Sequence, residues 1–288
     1  MEEFVLLRCL LSLLISFAIA YRSLRKKSLD LSGAIAGFLV LSIHIAAGFS
    51  YGILILVFFF TSSKLTKFGV EKKKMVDADF KESGQRNWMQ VMCNSAIATA
   101  LVVSVGVMTG WQDRCLDTKD SVRITCLIGG IIGHYACCNG DTWSSEYGVL
   151  SNASPRLITS FKKVPKGTNG AVTVDGLLAA VAAGTVIGLA YYLLGLATTL
   201  CSPSLARRQL LIIPVSAIAG LFGSLIDSLL GATIQFSGYC KLRKKVVGKP
   251  GPTVKCITGT DILGNNGVNF VSILITTLLT ATACSYIF

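Results

Sequence analysis

The chain has 288 residues, of which 52% are hydrophobic and 15% charged, and its mean hydropathy is +0.63. That balance leaves too little polar surface for a water-soluble globule and places the chain in lipid as one all-α domain. The formal net charge is +12; because the Lys and Arg fall mainly between apolar segments, they fit an anionic membrane surface or a phosphorylated ligand and argue against nucleic acid as partner.

In chain order, windows of about 20 apolar residues, the length that crosses the hydrocarbon core, mark about eight spans of a polytopic helix bundle. They cover residues 4–20, 31–47, 49–62, 91–110, 123–138, 175–198, 210–234 and 267–287. Ala18-Ile19-Ala20 has the small-residue form of a signal cleavage site, but Met1-Glu2-Glu3 is acidic and Arg22, Arg25, Lys26 and Lys27 follow the apolar run. That order predicts an uncleaved anchor with its carboxyl end inside. The first, third, fifth and seventh loops hold 21 of the 27 Lys and Arg, against five in the even loops and their boundaries. Basic excess on cytoplasmic loops then places both termini outside, as an even number of spans requires.

The third loop opens on Ser63-Lys64-Leu65-Thr66-Lys67 and closes on Arg86-Asn87-Trp88-Met89-Gln90, with Asn94 one turn into the fourth span. Lys64 and Arg86, beside polar neighbours, are candidate anion ligands; the remaining cations are expected at the solvated or lipid surface. In the fifth span Cys126, Gly129, Gly130, Gly133 and Cys137 lead to Gly140-Asp141-Thr142-Trp143-Ser144-Ser145-Glu146. Asp141 and Glu146 suit a hard cation, helped by Thr142 or Ser144; a helix-capping Asp at a membrane-edge turn is the alternative. Gly167-Thr168-Asn169-Gly170, ahead of Asp175, forms a flexible, donor-rich turn suited to phosphate and equally to an ordinary loop.

In the seventh span Ser216, Gly220, Gly223, Ser224, Asp227, Ser228, Gly231 and Gln235 recur at steps of three and four and share one helix face. Small residues alone would mark tight helix packing. Asp227 adds a carboxylate, which inside a span costs several kcal/mol unless paired or hydrated and so marks function. Before the eighth span Asp261, Asn265 and Asn269 stand at steps of four, Asn266 beside them, on one face if the segment is helical. The ten Cys lack any Cys-x-x-Cys, and neither His44 nor His134 sits in metal-ligand spacing with them; reduced thiols packed in the bundle are expected. On this map the carboxylates, amides, Gly-rich turns and isolated cations converge at the cytoplasmic span ends. That inventory suits magnesium-assisted phosphoryl transfer, with Asp141, Glu146 and Asp227 as metal ligands and a nucleoside triphosphate as co-substrate. No Walker motif, kinase signature or Ser-His-Asp arrangement is present.

At these residues the sequence resembles a membrane family that includes animal transmembrane protein 19 and the plant and bacterial relatives of phytyl-phosphate kinase. The resemblance runs through Ser62 to Thr66, Arg86 to Asn94, Gly140 to Glu146, Pro155-Arg156, Gly167 to Gly170, Asp227-Ser228-Leu229-Leu230-Gly231-Ala232 and Asn265 to Asn269. Within the family the pattern is most similar to the plant plasma-membrane, glucose-responsive branch. The kinase branch implies nucleotide-dependent phosphorylation of an isoprenoid monophosphate, with catalytic roles for Asp141, Glu146, Asp227 and Asp261. Phosphate binding would fall to Lys64, Arg86, Asn94, Gly167, Thr168, Asn169, Gly170, Asn265 and Asn269. The other branch implies a regulator of sugar response without turnover. The chain meets a membrane anchor at once with no Arg- and Ser-rich leader, so a plastid is not expected; the resemblance to the glucose-responsive branch implies the plasma membrane ahead of the endoplasmic reticulum. A solute path is a further alternative, since polar helix faces can line one.

Overall fold

The computed structural model describes residues 2–76 and 84–288, with side chains from residue 5 onward; Met1 of the acidic start lies outside the described residues. The expected spans are mainly helical. α1 (Glu2–Arg25), α2 (Leu31–Ala47) and α3 (Phe49–Thr66) come first, and a short α4 (Val70–Val76) follows. Asp30 caps α2 by accepting the Gly33 amide at 2.7 Å, which satisfies one of the four N–H groups a helix start leaves unpaired.

The expected fourth span is two helices, α5 (Trp88–Cys93) and α6 (Ala96–Thr109). Asn87 and Gln90 close a capping box at the start of α5. At its end the Asn94 side chain donates to Gln90 O at 2.9 Å and Ser95 to Val91 O at 2.7 Å. These polar side chains compete for backbone carbonyls, which is what breaks a helix at such residues.

α7 (Thr118–Leu150) runs for 33 residues with one non-helical residue, Ser121, near its start. At 1.5 Å per residue this is about 50 Å, well beyond the hydrocarbon core of about 30 Å. The segment from Gly140 to Glu146 is therefore helix, not a membrane-edge turn, and Asp141 is no cap. α8 (Val174–Thr198), α9 (Pro203–Arg208), α10 (Ile212–Thr233) and α11 (Asn265–Ile287) complete the bundle. Among the described residues six helices are long and apolar enough to cross a membrane, and two more, α2 and α6, are apolar but shorter. The expectation of about eight spans is approximate for that reason.

α7 is the centre, packed against α3, α6, α8, α10 and α11. Small residues let the backbones meet: a Cβ on Gly140 would lie 2.5 Å from Gly220 O and 2.8 Å from Gly220 Cα, and one on Gly223 2.6 Å from Cys137 Sγ. Buried Asn139 fastens three helices, accepting from Thr61 and Ser62 of α3 at 3.0 and 3.1 Å and donating to Ala183 O of α8 at 3.1 Å.

Two small sheets add to the helices. β1 (Arg156–Leu157) pairs antiparallel with β2 (Ala171–Val172), and β3 (Ser237–Cys240) lies between antiparallel β4 (Lys245–Val247) and β5 (Val254–Thr258). They sit with the basic loops at one end of the bundle, where Lys67 donates to Lys26 O at 2.7 Å and Asn169 N to Ser237 Oγ at 2.9 Å. At the other end buried Arg8 reaches Trp111 O and Asp113, the Leu116 amide donates to Gln209 at 3.0 Å, and Thr118 N donates to Phe288 O at 3.2 Å. There Cys115 and Cys201 form a disulfide, which corrects the expectation that the thiols are reduced; the other eight Cys are free.

Candidate functional site

A cavity of about 450 Å³ opens at the end of the bundle that carries the basic loops. Its acidic wall comes from two helices held together at the Gly140–Gly220 crossing. Asp141 of α7 and Asp227 of α10 both line it there, and Ser272 of α11 donates to Asp227 Oδ2 at 3.0 Å. Two carboxyl groups sharing one cavity repel each other when both are ionised, and a cation between them relieves that repulsion. Half of the α10 stripe therefore serves packing: Ser216 donates to Gly184 O at 2.7 Å, and Gly220 faces Ala180 and Gly184. The other half, Ser224, Asp227, Ser228 and Gly231, followed by Gln235, lines the cavity.

Arg86 forms the facing wall. Its backbone is clamped between Ser28 O and Asp30 N, both at 3.1 Å, and Gly33 permits this because a Cβ there would collide with Arg86 O. The guanidinium donates to Ser63 Oγ at 3.1 Å and stands 6.0 Å over the Phe58 ring. Burial lowers its pKa from the ordinary value, and nearby Glu146 works in the opposite direction. A guanidinium stays charged through such a shift and remains an anion ligand.

Asn94, Gly167, Thr168, Asn169, Gly170, Asn265 and Asn269 also line the cavity, so the structure gathers them with Asp141, Glu146, Asp227 and Arg86. The turn from Gly167 to Gly170 is anchored rather than flexible. Thr168 N donates to Pro165 O at 3.3 Å, Ala171 N to Thr168 O at 3.1 Å, and the Asn169 side chain to Phe236 O at 3.1 Å. At Gly170, where φ is +74°, a Cβ would lie 2.5 Å from Ser228 O; only glycine lets the turn sit on α10.

Two expected residues fall elsewhere. Lys64 is exposed and outside the cavity lining, because α3 is continuous here and presents it on the outward face. Asp261 is exposed in a turn ahead of α11, which begins at Asn265 after its cap Gly264, so no helical step of four links the two. Among the described residues no three of His, Cys, Asp and Glu gather as a ligand set. Glu146 is ion-paired with Lys73 at 2.5 Å, which leaves Asp141 and Asp227 as the carboxyl pair. That pair fits Mg²⁺, which takes one or two carboxylates and fills its remaining positions with water and phosphate oxygens.

Lys73 and Lys166 are cations of the lining that the sequence reading missed. Lys73 is buried, and it also donates to Leu65 O and Thr66 O at the end of α3, at 2.9 and 3.2 Å. Nothing in the run Lys72-Lys73-Lys74 distinguishes it from its solvated neighbours. Lys166, which donates to Ser151 O, directly precedes the Gly167 turn, and that adjacency was a usable signal.

Residues 14–277 match the model of the family described as integral membrane protein DUF92. The chain belongs to that family. It is 66% identical to Protein PGR of Arabidopsis thaliana over 288 residues, the whole of both chains. An uncharacterized membrane protein of Methanocaldococcus jannaschii is 34% identical over 237 residues, 81% of this chain and 86% of that one. Protein VTE6, chloroplastic, of Arabidopsis thaliana is more distant, 26% identical over 208 residues, 72% of this chain and 56% of its own. No solved structure matches. DUF92 relatives thus occur in a plant and an archaeon, and one carries a chloroplast name, so membership establishes an integral membrane protein and does not choose the membrane.

Proposed function

We propose that this DUF92 protein is a lipid-phosphate phosphotransferase, acting at the cytoplasmic face on an isoprenoid-type monophosphate with a magnesium nucleotide as donor. The observation that carries this reading is that the carboxyl groups of Asp141 and Asp227 line one cavity of about 450 Å³ together with Arg86. Phosphoryl transfer needs little covalent chemistry from a protein; it needs charge neutralisation and alignment. Asp141 and Asp227 would hold the metal, and bound Mg²⁺ would supply charge neutralisation on the phosphate oxygens. Ser272 orients Asp227, Gly33 and Ser63 orient Arg86, and Arg86 binds the phosphate through its planar donors. Lys73 and Lys166 add positive charge to the lining, where Lys73 also holds Glu146 in place. The site lies between helices at the end of the bundle, where a lipid headgroup and a soluble nucleotide can both arrive.

The test is purified protein with Mg²⁺, a nucleoside triphosphate and a panel of isoprenoid and alkyl monophosphates. The expected result is diphosphate product formed only when metal and nucleotide are both present. A second reading is a plasma-membrane regulator of sugar response without turnover. The 66% identity to Protein PGR over both full chains, taken with the sequence resemblance to the glucose-responsive plant branch, favours it. Absence of product with the whole panel, together with a thermal response to glucose but to no nucleotide, would select the regulator.

A further inference from the structure

Beside the polar cavity a second, apolar crevice of about 70 Å³ lies between α1, α2, α3 and α5. The two spaces share Phe58, Arg86, Gln90 and Asn94. Beyond these shared residues the crevice turns hydrocarbon-like, with Ile19 and Ala20 on α1, Leu41 on α2, and Ile55 and Phe59 on α3. Arg86, over the Phe58 ring, stands at the border of the two. The α1 wall is the outermost: its Leu14 and Phe17 are 67% and 66% exposed and so face lipid. Gly37 adds no side chain to the α2 wall, and a Cβ there would meet only Leu29 Cδ1, at 3.4 Å.

We infer that this crevice is the hydrocarbon subsite of the site above, entered sideways from the bilayer, seating the first carbons of a lipid whose phosphate is held by Arg86. The inference rests on the phosphate-binding reading under Proposed function and adds to it where the chain of the lipid runs. Polarity sets the orientation: an anionic headgroup finds Arg86 and the polar cavity, and the carbons next to it find apolar walls directly behind the same guanidinium. A volume of about 70 Å³ is on the order of two water molecules' share of the liquid, so the crevice takes the carbons adjoining the phosphate and the remaining chain stays in lipid. A soluble sugar phosphate or free nucleotide has nothing to place there.

The experiment measures binding of water-soluble alkyl monophosphates, methyl to hexyl, to the purified full chain with Mg²⁺, below any micellar concentration. Affinity is expected to rise about fourfold per methylene over the first few carbons, the value of one buried CH₂, and then to level off. Gly37→Leu fills the crevice from α2 and Ala20→Leu from α1; in each, the ratio of hexyl to methyl affinity should fall towards one. Ala20 lies on the outermost helix, so its variant remains informative if Gly37→Leu does not fold. Methyl phosphate binding with no gain for longer chains would overturn the crevice and leave the phosphate site standing. A gain that persists in both variants would place the hydrocarbon elsewhere. If no alkyl phosphate binds at any length, crevice and phosphate site fall together.

Discussion

Asp141 and Asp227 come from helices 86 positions apart in sequence, and each makes sense only beside the other. If they hold magnesium, a saturating magnesium nucleotide stabilises the protein by about 2.7 kcal/mol at a hundredfold excess over its Kd. For a chain of this size that is roughly 4–5 °C in Tm. Chelator should abolish the shift. Asp227→Asn and Asp141→Asn should each remove the magnesium-dependent part while the protein still inserts, because the amide keeps the size and loses the charge. Thermal unfolding with and without metal reads this directly, and a full shift in both Asn variants would take the pair out of the site. Arg86→Ala should weaken the nucleotide or phosphate response without abolishing metal binding, since its contact is charge-assisted to the anion alone.

At the level of elements, the site depends on the α7–α10 crossing. Gly140→Ala places a Cβ 2.5 Å from Gly220 O and 2.8 Å from Gly220 Cα. Forcing apart two backbones so packed should cost about 1–3 kcal/mol, and it should separate Asp141 from Asp227 and so blunt the magnesium response. Gly195→Ala, where nothing lies within 4 Å of the added atom, is the control and should be neutral or stabilising by up to about 1 kcal/mol. Equal losses in the two variants would mean that the crossing is not the tight point. The break between α5 and α6 was not legible in hydropathy, because the apolar run continues across Asn94 and Ser95. The continuation of α7 beyond residue 138 was equally hidden, since polar residues in a helix that leaves the membrane look like a loop.

Across the whole molecule the two ends differ. The basic loops, both small sheets and the cavity share one end, and the Cys115–Cys201 disulfide and the Arg8–Asp113 pair occupy the other. Disulfides persist in oxidising compartments, so the disulfide end is expected outside the cytoplasm, in agreement with the charge distribution of the loops. Cys256, free and exposed on β5, should then resist an impermeant thiol reagent in right-side-out vesicles and react after permeabilisation. Asn152-Ala153-Ser154, at the cavity end, should stay unglycosylated although it matches the acceptor pattern. Labelling of Cys256 from outside would invert this orientation. Cys115→Ser should lower stability by roughly 2–4 kcal/mol, and by less if the helices stay inserted in the unfolded reference state. It should leave the magnesium response intact, because the bridge and the site lie at opposite ends.

Class and approximate span count were determined by the sequence alone, because the cost of burying charge in hydrocarbon writes itself into hydropathy; the placement of Lys and Arg adds the expected sidedness that Cys256 labelling tests. Asp141, Asp227, Arg86, Asn94 and the Gly167–Gly170 turn were legible for a related reason: carboxylates, amides and glycines are costly or conspicuous among apolar residues. Which of them meet was decided by tertiary structure. Glycine contacts such as Gly140 on Gly220 and Gly33 on Arg86 set distances that no local pattern encodes. The sequence singled out Lys64 rather than Lys73 and set Asp261 beside Asp227 as a catalytic candidate. Only the packing of α4 against α7 and the late start of α11 brought one of each type into the cavity and left the other in solvent. The disulfide belongs to the same class, since Cys115 and Cys201 are 86 residues apart and become neighbours only when α7, α8 and α10 are assembled.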